Sequence, residues 1–83
     1  MKFFEIKNTI LHLLQENLQN DQPQPVNAAS LAEKLQLSLK EMRQIIKVMN
    51  KDGVVESDQD GDRVVMTRQG QVYLAEMGLS HAA

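Results

Sequence analysis

Ser38, Leu39, Lys40 and Glu41 read as S-x-x-E, the pattern in which a serine hydroxyl caps the amide three residues on and the glutamate reaches back to the serine amide. A helix must therefore begin at Leu39. Upstream, Asn27 is placed to cap a helix that carries Leu31 and Leu35 on one side, with Ala28, Ala29 and Ala32 allowing close approach. Only Gln36 and Leu37 lie between the two helices, so they must turn sharply against each other. Few folds accommodate that turn, and the remaining signals are read around it.

Four helices and one hairpin are expected. Phe3, Ile6, Ile10, Leu13 and Leu14 recur at helical spacing, which predicts a helix over residues 2–19. The stretch from Asn20 to Pro25, with two prolines, cannot propagate it. Helices over 28–36 and 39–51 follow; the second carries Met42, Ile45, Ile46 and Met49 on one face and ends at Gly53. Beyond Gly53 the period changes. Residues 54–57 and 63–66 are strand-like runs around Asp60 and Gly61, and Asp-Gly suits a type I′ hairpin turn, whose two central residues need positive φ. Thr67 can cap a last helix over 68–77 bearing Val72, Tyr73, Leu74 and Met77, closed by Gly78 before a frayed tail over 79–83. Eighty-three residues leave room for one domain, residues 1–83, with an aliphatic core.

The chain lacks cysteine, which removes disulfides, thiolate metal sites and cysteine nucleophiles. His12 and His81 are the only histidines, one on the polar side of the first helix and one in the tail, so they suggest no metal cluster or catalytic dyad; the four glycines form no phosphate-binding loop. No enzyme, cofactor or metal is expected. Asp58, Asp60 and Asp62 have the spacing of a calcium loop, but Arg63 stands where that loop needs Gly and Gln69 where it needs Glu, so a polar turn is the better reading. No apolar run is long enough for a signal peptide or a membrane span, and a cytoplasmic location is expected.

Three local patterns resemble the winged helix-turn-helix domains of bacterial transcriptional regulators of the MarR and ArsR kind, over roughly positions 5 to 79. Residues 31–38, Leu-Ala-Glu-Lys-Leu-Gln-Leu-Ser, look like the L-A-x-x-L-x-L-S lead into their recognition helix. Residues 52–55, Asp-Gly-Val-Val, resemble the turn from that helix into the wing, and 65–70, Val-Met-Thr-Arg-Gln-Gly, are similar to the V-x-L-T-x-x-G exit from the wing. Many members of these families carry Gly where Gln36 stands. The resemblance implies a mainly α fold with a small β-hairpin: a three-helix core, a wing and a short C-terminal helix. It further implies a DNA-binding regulator whose helix over 39–51 lies in the major groove.

At about 100° per residue, Lys40, Arg43, Lys47 and Lys51 fall within an arc of roughly 80° opposite the apolar stripe, flanked by Gln44 and Asn50. The Lys and Arg residues there can neutralise phosphates or, for Arg43, read guanine, and the Gln44 and Asn50 amides can pair with base edges. The expected DNA contacts are therefore Lys40, Arg43, Gln44, Lys47 and Lys51. Against them stand a net charge of −2 and five acids in the hairpin region, Asp52, Glu56, Asp58, Asp60 and Asp62. That acidity keeps open a second reading, a winged helix that binds another protein through its acidic wing or the apolar face of helix one. Phe4, Leu11 and Leu18, at i, i+7 and i+14, widen that apolar face to about 180° and predict a homodimer, unless the last helix covers them within one chain.

Overall fold

A computed structural model describes residues 2–22 and 26–82, with side chains through Met77. Residues 23–25, which include the two prolines, and Ala83 lie outside the described residues, as does the side chain of His81. The elements run α1 (Phe3–Leu18), β1 (Val26–Asn27), α2 (Ala28–Leu35), α3 (Leu39–Asp52), β2 (Val55–Ser57), β3 (Arg63–Met66) and α4 (Arg68–Ala82). The architecture is mainly helical with a small three-stranded antiparallel sheet in the order β1-β3-β2. In it Val26 faces Val64, and Val55, Glu56 and Ser57 face Met66, Val65 and Val64.

The α2–α3 connection forms as its sequence dictates. Asn27 accepts the Ala29 amide at the start of α2. At its end Gln36 adopts the left-handed conformation (φ 58°, ψ 41°), the Leu37 amide donates to the Ala32 carbonyl and the Gln36 amide to that of Glu33. These two bonds are a Schellman closure. Two residues later both halves of the Ser38–Glu41 capping box are made. A second Schellman closure ends α3, where Gly53 (φ 87°) and Val54 donate to Asn50 and Met49.

The core joins Ile6, Ile10, Leu11 and Leu14 of α1 to Ala28, Leu31 and Ala32 of α2, and to Met42, Ile46 and Met49 of α3. Val54, Val55, Val64, Met66 and Leu74 close it from the sheet and α4. The expected stripe on α1 is therefore turned. Phe3 is exposed, Leu13 only partly buried, and Leu11 wholly buried. The sheet and α4 both pack on α1, and they cover the side to which Leu11 belongs. Tyr73 fastens that contact: its hydroxyl donates to Asn8 Oδ1 at 3.3 Å and its ring lies 4.5 Å under Lys7 Nζ. On α4 Leu74 is buried and Val72 exposed.

Three further expectations are corrected. The hairpin turn is not type I′, because Gly61 (φ 75°) has positive φ and Asp60 does not. The Gly61 amide donates to the Asp58 carbonyl and the Asp58 amide to that of Arg63, so a longer loop with a single left-handed residue closes the hairpin. A third strand, β1, was not foreseen, since two residues carry no period. Finally α4 does not stop at Gly78 but continues to Ala82; alanine and leucine sustain a helix that glycine weakens without ending.

The N-terminus of α4 is locked by Thr67, whose hydroxyl donates to the Gly53 carbonyl (2.6 Å) and accepts the Gly70 amide (3.0 Å). Gly70 then passes directly over the Val54 carbonyl, where any Cβ would collide. Two stability changes follow. Gln36→Gly removes the cost of a side chain in the left-handed region and should raise stability by about 1 kcal/mol. Gly70→Ala should lower it by about 1–3 kcal/mol through forced backbone movement; urea denaturation of the two variants measures both.

Candidate nucleic-acid interface

The capping box fixes where α3 starts and the Gly53 closure where it ends, so the side chains between project from a rigid rod. Met42, Ile46 and Met49 turn inward. On the opposite side Lys40, Gln44, Lys47 and Lys51 are all exposed. None of the three lysines makes an ion pair within the chain, among the described residues. Glu41, on the flank, is occupied by the Ser38 amide. Four of the five expected contact residues therefore share one accessible surface.

Arg43 is placed differently. Its Nε and Nη2 both donate to Asp62 Oδ1, at 3.1 and 2.8 Å, and the two side chains are 41% and 42% exposed. The guanidinium is thus drawn toward the hairpin loop, at the boundary between the lysine face and the sheet. An exposed pair of this kind contributes on the order of 1 kcal/mol or less to stability, so its main consequence is the position it gives Arg43. Asn50, in the last turn of α3, donates from Nδ2 to Ser57 Oγ at 3.3 Å and ties the helix to β2.

The acids of the hairpin region divide into two groups. Asp58 Oδ1 accepts the amides of Asp62 (2.7 Å) and Arg63 (3.4 Å), Asp62 holds Arg43, and Asp52 lies 3.8 Å from Lys7. Glu56 and Asp60 remain exposed. Of the three aspartates with calcium-like spacing, Asp58 caps the loop amides and Asp62 holds Arg43, and among the described residues no group of three or more acids or imidazoles is arranged for a metal ion. His12 is exposed on α1.

The Phe4, Leu11, Leu18 line is not a continuous exposed face. Phe4 is 54% and Leu18 39% exposed, but Leu11 between them is 0% exposed and belongs to the core of its own chain. Sequence spacing identifies a second apolar line; its middle is buried in a core to which elements far away in the chain, α4 and β3 among them, contribute. Two features of the interface escaped sequence reading, the Arg43–Asp62 pair and the Asn50–Ser57 bond. Both join residues brought together only when the hairpin folds back on α3.

Among the described residues no helix is long and apolar enough to cross a membrane. Comparison with protein-family models, curated proteins and solved structures finds no match to this chain.

The Asp62 amide bond holds the Asp58 carboxyl below the usual aspartate range; desolvation opposes it, and the Arg63 and Gly61 amides and the Arg63 charge each add a smaller lowering. A carboxylate with a depressed folded pKa adds stability that is present above the unfolded value and lost as pH falls through the folded one. The hairpin loop should therefore hold at pH 5 and loosen only below about 3.9, the unperturbed aspartate value. In an NMR titration the Asp62 and Arg63 amide shifts should move with a midpoint below that value, and Asp58→Asn should abolish the transition.

Proposed function

We propose that this chain is a winged helix-turn-helix domain that binds double-stranded DNA as a cytoplasmic transcriptional regulator, with α3 laid in the major groove. The order of helices, the tight α2–α3 turn and the hairpin that follows α3 support that reading. The observation that carries it is the exposed face of Lys40, Gln44, Lys47 and Lys51, where the three cations form no ion pair among the described residues. Lysines in that position serve phosphates, and the Gln44 amide serves a base edge.

A net charge of −2 does not defeat this reading, because binding depends on the local field. Asp52 and Asp62 are paired with cations within the chain, which leaves Glu56, Asp58 and Asp60 as the hairpin acids that oppose a phosphate backbone. A second reading, recognition of a protein, is favoured by Val48, which is 46% exposed on the flank of α3 beside Glu41 and lines a shallow groove with Phe3 and Ile45.

Fluorescence anisotropy on random-sequence duplex at low and moderate salt separates the two. Binding should weaken steeply with salt, and Lys47→Ala with Lys51→Ala should reduce the slope of log K against log salt by about 2, one phosphate contact for each lysine. Asp60→Asn should tighten binding. If the wild-type chain does not bind duplex DNA even at low salt, and a selection from genomic fragments finds no site, the protein-binding reading takes its place.

A further inference from the structure

We infer that Asp62 is a positioning residue that holds Arg43 for guanine recognition; this rests on the DNA-binding reading above and adds to it the base contacted. Asp62 Oδ1 takes two donors from one edge of the guanidinium, Nε and Nη2, at 3.1 and 2.8 Å. That leaves the end of the group uncommitted, namely the Nη1 protons and the second Nη2 proton. Two parallel N–H bonds on that end match the O6 and N7 acceptors that guanine shows in the major groove.

Arg43 also stands where such a contact is made. It lies in the second turn of α3, counted from Ser38, and the N-terminal part of a recognition helix is the part that reaches base edges. The loop that carries Asp62 is itself fixed. The Asp62 amide donates to Asp58 Oδ1, its carbonyl accepts the Ala28 amide at 2.7 Å, and Gly61 lies so near Arg43 that an added Cβ would be in van der Waals contact with its backbone. Arg43 is therefore gripped between α3 and an anchored loop. Free lysines such as Lys47 and Lys51 need no such support, because a phosphate contact makes small directional demands; a forked contact to one base requires a fixed plane. The acid costs some attraction for DNA in general and gives direction to one donor pair in return.

The experiment begins with selection of preferred duplexes from a random library by the full wild-type chain. Anisotropy then compares the wild type, Arg43→Lys, Asp62→Ala and the double variant on the selected duplex and on each of its single base-pair changes. We expect one G·C position at which both single variants lose about ten-fold in preference, with the double variant no worse than Arg43→Lys alone. On random duplex Asp62→Ala should bind at least as tightly as the wild type. If Asp62→Ala disturbs the hairpin, as judged by the Val64 and Val65 amide shifts, Asp62→Asn tests the same point with a smaller loss, since it keeps an oxygen acceptor.

Tighter binding of Asp62→Ala to all sequences alike, with preference unchanged, would overturn the inference and make the pair a competitor of DNA. A uniform loss in Arg43→Lys across all sequences would overturn it equally, making Arg43 a phosphate contact. A wild-type chain that binds no duplex at all removes the DNA reading itself, and this shows before any variant is made.

Discussion

Everything that α3 can present depends on three consecutive residues whose backbones have conflicting demands. Gln36 must be left-handed to close α2, and Ser38 must be extended to open α3, with Leu37 partly buried between them. Neither demand is met by burial. Both are met by hydrogen bonds, two from the Schellman closure and two from the capping box, each satisfying a helix-end group that would otherwise be left to water. The angle between α2 and α3 follows from those bonds, and the apolar contact of Leu31 and Ala32 with Met42 and Ile46 then makes it rigid. A longer, looser connection would leave the lysines on a helix of uncertain direction.

The hairpin is bound to α3 from several points, which makes the two a single body. Val54 is held by Met49 at the end of the helix, Asn50 reaches Ser57, and Arg43 reaches Asp62 near the other end of the hairpin loop. Thr67 returns to Gly53, so α4 is tied to the same corner. Each polar contact is small on its own, and their value lies in register. With a side-chain period of two, a slip of one residue in β3 would send Val64 and Met66 outward and Arg63 and Val65 into the core.

Local signals in the chain were legible where the physics is local. The capping box, the Asn27 cap, the Gly53 closure and the Thr67 cap each involve residues within a few positions of one another, and all form as their spacing implies. The lysine face is equally local, because helical geometry alone puts Lys40, Lys47 and Lys51 together. What was not legible depends on contacts between distant segments. Leu11 lies on a helix face that spacing cannot distinguish from a partner surface until the core, with β3 and α4, is assembled around it. Asp60-Gly61 carries a strong type I′ signal, yet the Asp58 carboxylate, by accepting the Asp62 and Arg63 amides, selects a longer loop with one left-handed residue. Val26–Asn27 becomes a strand only because β3 offers it an edge.

On the proposed DNA-binding reading, the separation of charge in this chain is what would let a −2 molecule present a face to a polyanion. A Debye length of about 8 Å at physiological ionic strength confines each exposed charge to its own neighbourhood. What matters is therefore which acids lie beside Lys40, Lys47 and Lys51, and not how many acids there are. Asp62 is the exception worth explaining, since it sits against α3 and cancels the positive charge of Arg43. As an element of stability the pair is weak, and as a source of affinity it is unfavourable. It makes sense as a device for direction, in which one guanidinium gives up part of its attraction for phosphate and gains a fixed plane, while the lysines beside it retain theirs.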